Sequence, residues 1–148
     1  MIGHVTRRPA TAEDAAAILA DISEITEGEL LALGVPLADA PRLLVSLFAA
    51  GEVEVFCEDG KPVCLLGVRP EGLNLFVTWF LASKRFFALR AAAVLPARRV
   101  ATELRKRYPA ADIEAYSWSR HPQARRWFEL LGFKLVRDTG IYLQFRIV

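Results

Sequence analysis

Ser119–Phe133 reads SRHPQARRWFELLGF, and the way this stretch opens and closes decides how the rest of the chain is placed. It follows Asp112–Tyr116, an apolar run of strand length. It begins with small polar residues and a proline, continues as an amphipathic helix and ends on Leu131-Gly132-Phe133. Glycine just past a helix is the expected stop, because it takes the left-handed conformation without a Cβ clash. Trp127, Leu130 and Leu131 fall at helical spacing from Gln123–Ala124 and form an apolar stripe, with Arg125 and Arg126 on the exposed side. The C-terminal part therefore reads strand, short helix, strand, with the helix N-terminus facing whatever lies beside the first of these strands.

Upstream, Leu73–Leu81 is apolar almost throughout, which predicts a central strand covered on both faces. A long helical stretch follows over Ser83–Tyr108, with Phe86, Leu89, Ala93, Ala97, Val100 and Leu104 on one buried stripe. Pro96 predicts a kink or break near Val94–Leu95, and Pro109 ends the helix. Before the central strand, Val53, Val55 and Cys57 alternate with Glu52, Glu54 and Glu58 as a half-buried strand. Asp59-Gly60 signals a hairpin, Pro62–Val68 the return strand and Arg69–Gly72 a further turn. At the front, His4–Arg8 predicts a first strand. Thr11 caps a helix over Ala12–Ile22, a second helix covers Glu24–Leu33 up to Gly34, and a third covers Arg42–Ala50 after Pro41. Phe133–Arg137 and Ile141–Val148 are the last two strands, joined at Thr139-Gly140. The order gives one domain over 1–148 of α/β class, a mixed sheet with helices on both faces.

A chain of 148 residues, 53% of them apolar, can bury a core without disulfides or metal. No apolar run reaches the roughly 18 residues that span a bilayer, and MIGHVTRRP has no apolar leader core, so a cytoplasmic protein without a membrane partner is expected. A two-residue turn at Asp59-Gly60 would pair position 55 with 64. Cys57 and Cys64 would then be diagonal neighbours on one face, about 7 Å apart, and read as small core hydrophobes rather than a disulfide or metal site. The net charge of +2 is too small to argue for nucleic acid. Arg98, Arg105 and Lys106 form no single face, which ranks nucleic-acid binding last. Acidic residues concentrate early and basic ones late. That bias suits a phosphate-bearing ligand, although solvated helix faces produce it too.

Three pieces of the chain resemble the GCN5-related N-acetyltransferase (GNAT) superfamily. Arg8-Pro9-Ala10-Thr11 with Glu13-Asp14 is similar to the family's first strand and helix. The hairpin, apolar central strand and long helix are similar to its middle. Ala124, Trp127-Phe128-Glu129 and Leu131-Gly132-Phe133 are similar to its C-terminal signature. More narrowly, Thr78–Leu81, Arg107-Tyr108-Pro109 and Arg126–Phe133 resemble phage-encoded acetyltransferase-like proteins of the internal virion protein A type.

The resemblance implies a mostly antiparallel central sheet and acetyl-CoA as co-substrate. The pantetheine arm would lie on Trp79, Phe80 and Leu81, and the pyrophosphate at the helix start over Ser83, Lys84 and Arg85, with Arg125 as a further cation. Ala82–Ala88 lacks the glycines of the family's phosphate loop, and Phe128 stands where many members carry the proton-donating Tyr. His121, at the position of the family's helix-start Asn, and Tyr116 are then the candidate proton carriers. Two readings follow. One is an enzyme that acetylates a small-molecule or protein amine, with Glu24, Glu27 and Glu29 favouring a cationic acceptor, although a solvated helix face explains these acids equally well. The other is a fold kept for binding or assembly, with a virion protein or a second copy as partner. The last strand would be available for pairing with a second copy if it lies at an edge.

Overall fold

The computed structural model describes residues 4–89, 91–119 and 121–147, the side chains of 91–95 excepted. Seven strands form one sheet: β1 (Val5–Pro9), β2 (Glu52–Glu58), β3 (Lys61–Gly72), β4 (Leu75–Ala82), β5 (Asp112–Ser117), β6 (Phe133–Asp138) and β7 (Leu143–Ile147). The spatial order is β1-β2-β3-β4-β5-β7-β6, with β4 at the centre. Every neighbouring pair is antiparallel except β4–β5, which is parallel. A parallel pair needs a crossover, and the helices between β4 and β5 supply it. The last strand is interior: β7 lies between β5 and β6, so the edges belong to β1 and β6. Val148, at the end of the predicted last strand, lies outside the described residues.

Among the described residues six α-helices cover the sheet: α1 (Ala12–Leu19), α2 (Glu24–Ala32), α3 (Ala40–Ala50), α4 (Lys84–Ala88), α5 (Ala91–Arg107) and α6 (Pro122–Leu130). Alternation along the strands sends neighbouring side chains to opposite faces. Phe56, Leu66 and Phe145 join Phe86, Leu104 and Phe128 from α4, α5 and α6 in one core layer. Val55, Leu65 and Leu81 join Ile18, Leu30 and Leu44 from α1, α2 and α3 in the other.

Capping follows the predicted chemistry. Thr11 and Asp14 form a reciprocal capping box at α1. Gly34 and Gly132 follow α2 and α6 at φ 75° and 101°. Asp14 also takes a two-pronged bond from Arg8, at 2.7 and 2.8 Å, which ties β1 to α1. This guanidinium holds the Asp14 carboxyl below the usual carboxylate range.

Several predicted boundaries move. The Asp59-Gly60 hairpin forms, but a bulge between Phe56 and Cys57 pairs Phe56 with Cys64 and Val55 with Leu65. One inserted residue flips every later side chain, so the cysteines leave their predicted common face. Cys57 belongs to the α1–α3 layer and Cys64 to the α4–α6 layer. Strand β3 runs through Arg69–Gly72, where a turn was predicted, and the chain turns at Leu73-Asn74 instead. Helix α1 ends at Leu19, which frees Ile22 to bridge Ser83 at the end of β4. The long helix breaks between Ala88 and Ala91 rather than near Val94–Leu95. Pro96 sits in the second turn of α5, where its missing N–H costs one ladder bond. The side chain of Ala93, part of the predicted stripe, lies outside the described residues.

Part of the early-acidic, late-basic distribution is complementary within the fold. Glu52, Glu54 and Glu58 on β2 pair with Arg107, Arg7 and Arg85. Arg105 donates to Ala111 O and Ile147 O, each at 2.7 Å, and so fastens α5 to the end of β7.

Candidate functional site

The parallel pairing of β4 and β5 covers only four residue pairs, from Leu75↔Asp112 to Thr78↔Ala115. The Thr78 hydroxyl donates to Glu114 O at 3.0 Å at this point. Beyond it the strands part. β4 stays on β3 as far as Ala82, so Trp79–Ala82 has a strand on one side and a gap on the other.

Strand alternation sets which backbone groups face the gap. Ser83 N–H turns toward β3 and donates to Val63 O at 2.9 Å. Ala82 faces the other way: its N–H donates to Thr26 Oγ1 at 3.1 Å and its carbonyl accepts from Ser23 N–H at 3.0 Å. Two residues earlier, Phe80 has the same orientation as Ala82, which directs its N–H and C=O into the gap, while Leu81 pairs with β3. Ser23 and Thr26 stand at the start of α2, which crosses the end of β4 and closes the gap there.

The gap opens into a cleft of about 300 Å³ that draws on both core layers. Phe80, Phe87, Trp127 and Phe128 form the wall on the α4–α6 side, and Leu30, Leu43, Leu44 and Leu47 form the wall on the α2–α3 side. Edge-on contacts fix the first wall, with Phe80 5.7 Å from Phe128 and 6.4 Å from Trp127 between ring centres. Phe128 also stacks on Phe145 at 4.7 Å. Trp79 lies across β3 directly over Gly67, where an added Cβ would come within 2.0 Å of the indole. All three tryptophans of the chain, Trp79, Trp118 and Trp127, line the cleft.

Among the described residues, two charged ones line it, Glu29 and Arg69. Arg69 is paired with Glu71 at 3.1 Å. Glu29, on α2, reaches the end of β5, where its carboxylate accepts from the Ser117 hydroxyl and, at 2.8 Å, from Trp118 N–H. Burial pushes its carboxyl above the usual range, and the bonds from Ser117, Trp118 and Ser119 oppose that shift without cancelling it. Tyr116 projects from β5 beside it and donates to Glu114 at 3.3 Å. Burial and the nearby Glu114 carboxylate raise the phenol above its ordinary value. Glu114 is itself buried and accepts from Gln144 and, at 3.1 Å, from Arg146.

The structure brings Trp79, Phe80, Leu81 and Tyr116 together in the cleft. The other predicted site residues stand elsewhere. Ser83 is buried and caps α4, accepting from Phe86 N–H at 3.2 Å and donating to Val63 O at 2.9 Å. Lys84 is exposed, and its N–H donates to Asp21 O at 2.8 Å. The backbone donors of Ser83, Lys84 and Phe86 are thus already engaged. Arg85 is committed to Glu58 at 2.6 and 2.7 Å, and Arg125 to Glu129 at 2.8 Å. His121 is the exposed N-cap of α6, its Nδ1 accepting from Gln123 N–H at 3.2 Å, outside the cleft lining.

Sequence reasoning set Glu29 among three acids of an acidic helix and passed over Trp118. A signal was present. Ile25, Thr26, Glu29, Leu30 and Leu33 recur at three- and four-residue steps, so Glu29 is a carboxylate set inside an apolar stripe. Glu24 and Glu27 do not line the cleft.

By sequence the chain matches no protein-family model and no curated protein. By structure it is similar to a GNAT-family acetyltransferase from Bacillus anthracis, at 12% identity and TM-score 0.73, over 100% of this chain and 96% of that one. It is similar to the PaiA N-acetyltransferase of Thermoplasma acidophilum in complex with coenzyme A, at 11% identity and TM-score 0.68, over 96% and 97% of the two chains. A GNAT-family acetyltransferase from Elizabethkingia anophelis with acetyl-CoA bound aligns at 13% identity and TM-score 0.64, over 97% of each chain. The fold is therefore that of the GNAT acetyltransferases.

Proposed function

We propose that the protein is an acetyl-CoA-dependent N-acetyltransferase whose reaction takes place in the β4–β5 cleft. The observation that carries this reading is the backbone of Phe80, directed into a gap where the central strand has lost its neighbour. An extended arm bearing amides can pair with such an edge as another strand would. Similar folds bind coenzyme A and acetyl-CoA, as the Thermoplasma and Elizabethkingia structures record. The apolar wall of Phe80, Phe87 and Phe128 suits the arm's methylenes. For the phosphates, the next helix along the chain is α5. It is 17 residues long, whereas the donors at the start of α4 are already engaged.

Acetyl-CoA supplies a thioester, and the chain's own groups do the rest. The Phe80 N–H polarises the carbonyl that the amine attacks. Glu29, with its carboxyl raised by burial, takes the proton the amine must lose. Tyr116 keeps its proton at neutral pH and, by turning its hydroxyl away from Glu114, supplies it to the departing sulfur. This arrangement gives the work to Glu29 and Tyr116 rather than to His121. It also accounts for a buried Phe at 128, since the proton donor stands on β5.

The alternative is a binding or assembly protein, of phage origin or self-associating. It draws on Phe128 and on the engaged donors of α4, and it predicts no response to CoA. At 100-fold above its dissociation constant, CoA should stabilise the protein by about 2.7 kcal/mol. For a chain of this size that raises Tm by about 5–11 °C. A flat thermal shift at millimolar CoA, with no thiol released from acetyl-CoA over a broad amine panel, refutes the reading.

A further inference from the structure

The acceptor half of the cleft combines large apolar area with one carboxylate. Leu30, Leu43, Leu44 and Leu47 present aliphatic surface, and Trp79 and Trp118 present aromatic surface. Glu29 stands among them, held by Ser117 and Trp118 at the end of β5. Arg69, the other charged lining residue among those described, is already paired with Glu71. A polycation would bring several ammonium groups into this space, and Glu29 could match one of them. The others would lose water without gaining a partner, at a cost comparable to that of any unpaired buried charge. A peptide would likewise bring backbone polar groups against leucine side chains. A single ammonium on an apolar body loses neither its charge partner nor its hydrophobic surroundings.

We infer that the acceptor is a small primary amine carried on an aromatic or branched aliphatic body, its ammonium docked on Glu29 and its apolar part between the α2–α3 leucines and Trp79. The inference rests on the reading of the cleft as an acyl-transfer site, and it names the substrate class of that site. The volume of about 300 Å³ must serve both reactants, so the acceptor is a compact molecule. Glu29 binds the amine as its cation before taking its proton.

The test uses the whole chain, with and without saturating CoA, and follows intrinsic fluorescence, because all three tryptophans line the cleft. The probes are 2-phenylethylamine, 2-phenylethanol and spermidine. The alcohol keeps the apolar body and lacks the charge. A hydrogen bond to a charged group separates amine from alcohol by about tenfold or more. The expected order is 2-phenylethylamine tightest, with the alcohol and spermidine at least about tenfold weaker. Glu29→Gln should remove the preference for amine over alcohol and leave the affinity for the alcohol unchanged. A merely structural Glu29 would change both together. Spermidine binding as tightly as 2-phenylethylamine overturns the inference, as does an unchanged amine preference in Glu29→Gln or no binding of 2-phenylethylamine in either condition. Failure of the acetyltransferase reading shows separately, as absence of a CoA thermal shift, while the amine titration is still read in its own right.

Discussion

Replacing Gly67 with alanine probes how the acceptor wall is built. The new Cβ would lie 2.0–2.3 Å from Cε2, Nε1 and Cζ2 of Trp79. Ordinary carbon contacts are about 3.5–4.0 Å, so the indole must move by about 1.5 Å or more. Overpacking of this kind costs about 1–3 kcal/mol, and a chain of this size loses about 2–4 °C in Tm per kcal/mol, so a fall of about 2–12 °C is expected. The moved indole enters the cleft, so Trp emission should shift and affinity for any cleft ligand should fall. The double-mutant cycle with Trp79→Leu decides the cause. Leucine lacks the three clashing atoms, so Gly67→Ala should cost little in that background, and the coupling should recover most of the single-mutant loss. Additive effects of the two substitutions, or a Gly67→Ala protein with unaltered Tm and emission, would refute the packing of Trp79 over β3.

Asp14 should dominate part of the acid limb of stability. Its folded carboxyl is held low by Arg8, so the stabilisation is present above the unfolded value near 3.9 and is lost as pH falls through the folded one. Asp14→Asn should flatten Tm against pH in that range and lower Tm at neutral pH, where the wild-type pair is intact. Gly132→Ala places a Cβ at φ 101° after α6, and urea melts should show a loss of about 1 kcal/mol or more. Cys57 and Cys64 are both buried, and burial pushes both thiols up. Native protein should therefore leave Ellman's reagent unreacted over minutes and release two equivalents of thiol only on unfolding.

The parts legible in the sequence are those written in local chemistry. Thr11 with Asp14, Asp59-Gly60, Pro122 after His121 and Gly132 mark their boundaries because caps and turns need particular residues within a few positions. The bulge at Phe56/Cys57 leaves no such mark. Both faces of β2 and β3 are buried there, so a one-residue slip exchanges one apolar side chain for another. The turn at Leu73-Asn74 was hidden for a related reason: Leu73 is fully exposed yet continues an apolar run. The insertion of β7 between β5 and β6 is a long-range pairing with no local signature, which is why the last strand could be read as an edge. In the site, Trp79–Leu81 was legible through family resemblance and the apolar central strand. Glu29 and Trp118 were not, because their roles arise where α2 crosses the parted ends of β4 and β5. Ser83–Arg85 drew attention as a basic helix start, but neither sequence nor charge count reveals that Val63, Asp21 and Glu58 already occupy those groups.

If the protein is an acetyltransferase, the β4 backbone at Phe80 is the docking edge for the acyl donor. Amide-resolved NMR of ¹⁵N-labelled protein titrated with CoA tests it most directly. The Phe80 amide should shift most among Trp79–Ala82 and gain protection from hydrogen exchange, while the Leu81 amide, already paired with β3, should move little. Saturating CoA that leaves Phe80 unmoved, or that shifts only the amides of α4, would contradict it.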